Sequence, residues 1–289
     1  MDVKTTFLNG ELEEEIYMDQ PDGLNMIEEV KDFLSKSFEM KDLGVADVIP
    51  NIKLLREDEG RITLVQSHYV DKVLSHFGYS DCKAAPTPYD PNFSRFVSNP
   101  EDDHWHALER VMRYLKGIMS YGIHYAGYPK VLEGYSDSNW VSDADEIKAT
   151  SRYMFTLGGD AVFWKNCKQI ILTRSTMEVE LTALDIAIVE AEWLCELLMD
   201  LPVVEKLIPA ILMNCDNQTV TIKVNSSKHN MKSSRHVKRR LKSVRKQKNS
   251  RVIALDYVHT AKNLADQFTK GLACNVIDCA SREMGLRPN

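Results

Sequence analysis

Apolar residues follow one pattern before residue 131 and another after it, and a segment rich in Pro, Asp, Asn and Ser lies at residues 79–100. That segment predicts a linker, because such residues favour turns and exposed chain. On either side of it, apolar residues recur at helical spacing or in short runs. The elements predicted there are helices at 26–40, 68–78 and 102–119, a weak strand at 45–56 and a strand at 61–66.

From residue 131 onward, short apolar runs separated by turns predict strands, then a long helix, a strand, helices, a strand and a final helix. This order is typical of an α/β domain. The near-continuous apolar run at 210–216 is expected of a central strand that is covered on both faces. The predicted strands lie at 131–137, 152–157, 161–164, 169–173, 210–216 and 252–258, the long helix at about 175–200 and the last helix near 261–271.

The net charge of -6 conceals an uneven distribution of charge along the chain. Residues 1–60 are acidic, whereas residues 223–251 contain twelve Lys or Arg and no Asp or Glu. This asymmetry indicates a local anionic partner. The six cysteines form no CxxC pair, which argues against a zinc site and a disulfide framework. With no signal peptide and no membrane-length apolar run, an intracellular protein of the cytoplasm or nucleus without a membrane partner is expected.

Four acidic residues stand at the ends of predicted elements in the C-terminal half. Asp137 ends the first strand, Glu178 lies in the first turn of the long helix, Asp216 ends the central strand and Asp266 lies in the last helix. Such positions can converge at one edge of a sheet, where clustered like charges require neutralising cations. Two divalent ions would neutralise them and activate water against a phosphodiester. Hard oxygen ligands favour Mg²⁺ or Mn²⁺ over zinc.

Each of these residues also has a purely structural interpretation. Glu178 could close a capping box with Ser175, and Asp216 could cap the following helix. Asp137 could belong to a turn, and Asp266 could be a solvated helix residue. The catalytic interpretation therefore depends on all four appearing in the expected order of elements.

Six stretches of the C-terminal half resemble the ribonuclease H domain of copia-type retrotransposon Pol polyproteins. The resemblance covers almost all of residues 129–289. The matching stretches are GYSDSNW (134–140), FTLGGDAVFWKNCKQ (155–169), TRSTMEVELTAL (173–184), MNCDNQ (213–218), KSSRHVKRRLKSVR (232–245) and NLADQFTKGL (263–272).

This resemblance implies an RNase H-like mixed five-stranded sheet with helices on both faces at residues 129–272, followed by a C-terminal tail at 273–289. It places the cleavage carboxylates, and hence two Mg²⁺ or Mn²⁺ ions, on Asp137, Glu178, Asp216 and Asp266. The chain also departs from the family pattern, which usually has Gly at the positions of Arg152 and Asp160 and Ser at that of Phe163.

The N-terminal stretch is similar to parts of the reverse transcriptase of the same polyproteins. Residues 1–23 resemble the motif with the first catalytic aspartate, here Asp2, but the Tyr-Val-Asp-Asp tetrad is absent from the sequence. Residues 1–93 are therefore expected to be a fragmentary α+β remnant without polymerase activity, joined by a helical region at 94–128 to the nuclease. The first 100 residues are expected to fold poorly, because without the polymerase core their elements lack the sheet on which they would pack.

The basic segment at 228–251 predicts a helix with Val237, Leu241 and Val244 along one stripe. A solvated charged face is one interpretation. Binding to phosphate backbones is the favoured one, because the run contains no acidic residue. The residues expected to bind nucleic acid are Lys238, Arg239, Arg240, Lys242, Arg245 and Lys246.

Two functions follow from these observations. The first is cleavage of the RNA strand of RNA/DNA hybrids by two-metal catalysis. The second is an inactive transposon remnant that at most binds nucleic acid through residues 228–251.

Overall fold

The computed structural model describes residues 2–3, 36, 40–41, 47–57, 60–88, 102–125, 131–139, 149–173, 175–200, 208–226, 234–268 and 274–289. The chain divides into two compact units, one formed by Met1–Ala126 with Arg287–Asn289 and the other by Gly127–Leu286. The sequence had suggested boundaries after residues 93, 128 and 272. Most of the helix predicted at 26–40 and part of the linker at 79–100 lie outside the described residues.

The described parts of the chain contain strands and α-helices with the following bounds. The strands are β1 (Asp2–Val3), β2 (Met40–Lys41), β3 (Val48–Ile49), β4 (Ile52–Arg56), β5 (Ile62–Val65), β6 (Tyr121–Tyr125), β7 (Leu132–Asn139), β8 (Thr150–Leu157), β9 (Asp160–Lys168), β10 (Ile211–Cys215), β11 (Ile253–Tyr257) and β12 (Leu286–Pro288). The α-helices are α1 (Ser67–His76), α2 (Asp102–Gly117), α3 (Thr176–Asp200), α4 (Gln218–Asn225), α5 (Arg235–Asn249) and α6 (Cys274–Glu283).

The first unit contains a five-stranded sheet in the order β12-β6-β5-β4-β3. The weak strand predicted at 45–56 is a hairpin, because Pro50 and Asn51 form a turn in which Asn51 has a φ of 62°. Strand β6 was not predicted from the sequence. Strands β3, β4 and β5 pair within the first 100 residues, so the premise that this region lacks a sheet is wrong. That residues 1–100 fold poorly stays a prediction.

The second unit is built on a mixed five-stranded sheet in the order β11-β10-β7-β8-β9. Strands β7, β8 and β9 are antiparallel neighbours, and β10 runs parallel to both β7 and β11. Gly158 and Gly159 join β8 to β9 with φ values of 66° and 96°, as a tight hairpin turn requires. This sheet confirms the mixed α/β architecture that the sequence predicted.

The strand predicted at 169–173 is not a strand in the structure. Ile170 is 93% exposed, so this apolar run does not enter the core. Gln169 is buried instead, and its Nε2 donates to Ser151 Oγ at 2.8 Å and to the Val179 carbonyl at 3.0 Å. The segment therefore connects β9 to α3 through a buried polar contact, which an apolar pattern does not reveal.

The two faces of this sheet are covered by different elements. Successive side chains of β8 alternate between faces, so Tyr153 and Phe155 join the main core while Met154 joins a smaller cluster with Ala161 and Leu264. Helices α3, α4 and α5 pack on the main core. The stripe predicted along the long helix is confirmed, because Leu181, Leu184, Ile188, Ala191 and Cys195 are all buried.

The last helix predicted near 261–271 takes a different form. Two short 3-10 helices, Thr260–Lys262 and Leu264–Phe268, occupy the described part of that range. Helix α6 then follows within the region for which the sequence suggested a tail. Asn263 holds this segment to the sheet, since its Nδ2 donates to the Ser136 carbonyl of β7 at 3.0 Å.

None of the helices in the described parts of the chain combines the length and the apolar composition that crossing a bilayer requires.

Neighbouring residues of α3 allow a matched test of the core. Ile188 is 1% exposed and Val189 is 62% exposed. Ile188→Ala is expected to lower the free energy of unfolding by about 2–5 kcal/mol, because it leaves a cavity in the main core. Val189→Ala is expected to change it by no more than about 0.5 kcal/mol, as is usual for a surface position. Urea unfolding of both variants measures the difference, and equal losses would contradict this description of the core.

Candidate functional site

Asp137 lies near the end of β7, directly opposite Arg152 of β8. Both side chains are almost completely buried, and Arg152 Nη1 lies 3.7 Å from Asp137 Oδ2. A carboxylate enclosed in this way loses its hydration and depends on neighbouring charges and hydrogen bonds for stability. The alternative that Asp137 simply belongs to a turn is therefore wrong, because Asp137 lies in a paired strand.

The glutamate that approaches Asp137 is Glu180 rather than Glu178. Asp137 and Asp216 both act electrostatically on Glu180, and Ser138 donates hydrogen bonds to it from its hydroxyl and its backbone N–H. Glu180 also has a carboxylate oxygen close to the ligand atoms of Cys215 and Asp216, in a group that does not include Glu178. Residues two apart on a helix point in different directions, so one glutamate facing the cluster directs the other away from it.

One half of the capping box predicted for Ser175 and Glu178 is present, namely the bond that uses the Glu178 backbone. The Glu178 backbone N–H donates to Ser175 Oγ at 3.3 Å at the start of α3. Because α3 is buried on nearly every side over its first turns, apolar spacing does not distinguish Glu178 from Glu180. Glu180 was therefore not predicted from the sequence, and the direction of its side chain in three dimensions reveals it.

Asp216 follows β10 and faces the same edge of the sheet. The helix-capping role belongs to its neighbour, since Asn217 Oδ1 accepts from the Val220 backbone N–H at 3.1 Å. The Asp216 carboxylate accepts a hydrogen bond from Thr260 Oγ1 at 3.0 Å. Ligand atoms of Glu180, Cys215 and Asp216 all lie within 4.8 Å of one another. The parallel pairing of β10 with β7 thus brings Asp216 to the position that the sequence predicted.

Asp266 reaches the cluster from a different element, near the C-terminal end of the second unit. It lies in the 3-10 helix Leu264–Phe268, and its charge acts on both Asp137 and Arg152. Asn263 positions this helix, because its Oδ1 accepts from the Ala265 backbone N–H at 3.2 Å while its Nδ2 is bonded to β7. Three of the four predicted carboxylates therefore meet, and Glu180 completes the group.

Two carboxyl groups of this cluster, those of Asp137 and Glu180, hold their protons unusually tightly because their pKa values are raised. Burial, followed by the charges of Asp216 and Asp266, raises the pKa of Asp137 to about 7, although Arg152 acts in the opposite direction. Burial, followed by the charges of Asp137 and Asp216, raises the pKa of Glu180 to about 9. Perturbed carboxyl groups that face one another at a sheet edge are a feature of functional sites.

The donor atoms of this cluster suit a hard divalent cation. Glu180 Oε2 is buried and has no hydrogen-bond partner among the described residues, so this oxygen would need a compensating cation once the carboxyl group loses its proton. Burial raises the pKa of the Cys215 thiol to about 12, which keeps it protonated and leaves carboxylate oxygens as the ligands. Oxygen ligands of this kind match Mg²⁺ or Mn²⁺ rather than a thiolate-bound metal.

The basic helix forms as predicted, with Val237, Leu241 and Val244 buried along one side. The six basic residues expected to bind nucleic acid separate into two groups. Lys238, Arg239, Lys242 and Lys246 are exposed.

Arg240 and Arg245 have structural partners inside the unit. Arg240 Nε lies 3.6 Å from Asp185 Oδ2 of α3. Arg245 donates hydrogen bonds to the carbonyls of Lys223, Val224 and Ser226, which fixes α5 to the end of α4.

Comparison with known proteins shows similarity to transposon polyproteins. No protein-family model matches the chain. The Pol polyprotein of transposon RE2 from Arabidopsis thaliana is 33% identical over 67% of the chain, which covers 13% of that polyprotein. The Pol polyprotein of transposon TNT 1-94 from Nicotiana tabacum is 24% identical over the whole chain, which covers 31% of that polyprotein. Its alignment extends over 414 positions, so the relative contains stretches that these 289 residues lack.

Two further similarities are more restricted. A part amounting to 35% of the chain is 43% identical to a Plasmopara viticola protein named secreted RxLR effector protein 161, of which it covers 72%. Among solved structures, an N-terminal RNase H domain from Mycobacterium tuberculosis is 13% identical over 53% of this chain and 98% of its own length, with a TM-score of 0.36.

The mixed sheet and the carboxylates at its edge define the second unit as an RNase H-like α/β domain. The chain is a fragment of a copia-type retrotransposon Pol polyprotein, similar to the retrovirus-related Pol polyproteins of plant transposons. It spans less than a third of the length of the two polyproteins described above.

The raised carboxyl pKa values predict how stability depends on pH. Asp137 and Glu180 keep protons in the folded chain up to pKa values of about 7 and about 9, and lose them at lower pH when unfolded. The folded state therefore binds more protons between about pH 4 and about pH 9, and stability falls as pH rises through this range. In metal-free buffer, thermal unfolding midpoints are expected to decrease over this range.

The double variant Asp137→Asn, Glu180→Gln is expected to flatten this pH dependence, whereas Glu178→Gln is expected to preserve it. A metal-free protein whose unfolding midpoint rises steadily from pH 5 to pH 9 would contradict the assignment.

Proposed function

We propose that the second unit hydrolyses the RNA strand of RNA/DNA hybrids with the help of divalent cations. The observation that supports this most strongly is the convergence of Asp137, Glu180, Asp216 and Asp266 at one edge of the sheet. A group of carboxylates with a buried, unpaired oxygen is unfavourable unless positive charge compensates it. The membership in the Pol family supports RNA/DNA hybrid as the substrate.

The four carboxylates would hold two Mg²⁺ or Mn²⁺ ions. When bound there, such ions would supply the Lewis acidity that activates water and stabilises charge on a phosphodiester. Glu180 replaces Glu178 in this ligand set. The other three ligands are those that the sequence indicated.

The surrounding residues keep the carboxylates oriented. Ser138 donates hydrogen bonds to Glu180, and Thr260 donates one to Asp216. Asn263 fixes the 3-10 helix that contains Asp266 to β7. These contacts come from elements far apart in the sequence, and they would hold the ligands in place before any cation binds.

The exposed residues of α5 would bind the phosphate backbone of the hybrid. Lys238, Arg239, Lys242 and Lys246 provide positive charge without an acidic residue on the helix. Contacts of this type are independent of base sequence and weaken as salt increases. Polymerase activity is not proposed, because the sequence lacks the Tyr-Val-Asp-Asp tetrad.

The second candidate function is nucleic-acid binding without cleavage, as expected of a transposon remnant. The buried ion pair between Arg152 and Asp137 favours it, since a protein cation already stands where the carboxylates need positive charge. Cleavage assays distinguish the two functions.

A pair of glutamate variants tests the proposed cleavage. The full chain is incubated with a labelled RNA/DNA hybrid and Mn²⁺ or Mg²⁺. Glu180→Gln is expected to lower the cleavage rate by at least about a hundredfold, as loss of a metal ligand usually does. Glu178→Gln, which makes the same chemical change two residues away, is expected to retain most of the activity, because Glu178 is not part of the proposed ligand set.

Cleavage that is equal in wild type and Glu180→Gln would exclude Glu180 as a ligand. Absence of cleavage by the wild type, with hybrid binding retained, would favour the second candidate.

The basic surface is tested by binding rather than by cleavage. The double variant Arg239→Gln, Lys242→Gln removes two exposed charges from α5 and is expected to weaken hybrid binding and to reduce the slope of log K against log salt by about 2. The matched control is Lys72→Gln, Lys83→Gln, which removes two exposed charges from the first unit. Fluorescence anisotropy at several salt concentrations measures both. Equal effects of the two double variants would show that α5 has no specific role.

A further inference from the structure

Arg152 is a buried cation inside the carboxylate cluster. Only 4% of its surface is exposed, and it stands directly opposite Asp137 in the β7–β8 pairing. Its guanidinium is also close enough to Asp266 for the two charges to interact. Arg152 is the positively charged side chain that acts on Asp137 within the described part of the chain.

The contact between Arg152 and Asp137 is electrostatic rather than a close hydrogen-bonded pair. The separation of 3.7 Å is longer than the roughly 2.7–2.9 Å of charge-assisted hydrogen bonds. Arg152 Nε and Nη1 are buried and have no hydrogen-bond partner among the described residues. A guanidinium usually uses its planar donors to bind a carboxylate through two bonds. Here its contribution to the cluster is its charge.

A divalent cation held by Asp137 would lie close to the positive charge of the Arg152 guanidinium. Two positive charges within a few ångström of each other in a poorly solvated site repel strongly. Part of the negative charge that would attract the cation is already compensated by Arg152. Asp137 therefore has two competing partners, one covalently part of the chain and one from solution.

We infer that Arg152 is a built-in counter-cation that competes with divalent metal for Asp137 and lowers the metal affinity of the carboxylate cluster. The inference rests on the proposed function, because it takes the cluster to be a metal site. It predicts that neutralising Arg152 increases metal affinity, although the variant removes a native ion pair.

A titration of the full chain with Mn²⁺ tests this inference. The electron paramagnetic resonance signal of the free ion measures how much Mn²⁺ remains unbound. The wild type is compared with Arg152→Met, which removes the charge, and Arg152→Lys, which preserves it. Arg152→Met is expected to bind Mn²⁺ at least about tenfold more tightly than the wild type, given the strength of charge repulsion at short range. Arg152→Lys is expected to stay close to the wild type. Adding Asp137→Asn to Arg152→Met is expected to abolish the gain.

Arg152→Gln serves as a second neutral variant, and circular dichroism verifies that each protein is folded. Wild-type affinity in both neutral variants, with binding still lost in Asp137→Asn, would overturn the inference while leaving the metal site intact. Tighter binding by Arg152→Lys would overturn it as well, since shape rather than charge would then be responsible. Absence of Asp137-dependent Mn²⁺ binding in every folded variant would refute the proposed function and the inference together.

Discussion

Repulsion among clustered carboxylates is the constraint that governs the chemistry of the second unit. Asp137, Glu180, Asp216 and Asp266 approach one another at a sheet edge where burial removes most of the hydration that stabilises a charge. The fold brings them together through strand pairing, a helix start and a 3-10 helix held by Asn263. The arrangement is tolerated because protons, Arg152 or a cation can compensate the charge. Which of the three does so determines whether the cluster is a structural feature or a reactive one.

Arg152 departs from the family pattern, and it lies inside the candidate site. The family resemblance marks its position as unusual, and the structure places its guanidinium beside Asp137. A single substitution can thus preserve all four carboxylates and still change their preference for a metal. Survival of ligand residues in a transposon fragment is therefore a weaker indication of activity than the charge balance around them.

Much of the second unit could be predicted from the sequence, because the residue patterns that identify its strands and helices are local. Apolar runs separated by turns predicted the strands of the sheet. The apolar stripe through Leu184 and Ile188 predicted the long helix. Three carboxylates were identified because they stand at element ends or in a recognisable motif. Glu180 was missed because both glutamates lie in a helix start that is buried on nearly all sides. The strand at 169–173 was predicted wrongly because Gln169, a polar residue, is the one that enters the core.

The central claim is that these carboxylates bind divalent cations, with Glu180 among the ligands. Diffraction from crystals soaked in Mn²⁺, recorded where manganese scatters anomalously, tests this most directly. The predicted result is anomalous density at the cluster, in contact with carboxylate oxygens of Asp137, Glu180 and Asp216. Anomalous density coordinated by Glu178, or a cluster without manganese in crystals that hold it elsewhere, would contradict the account.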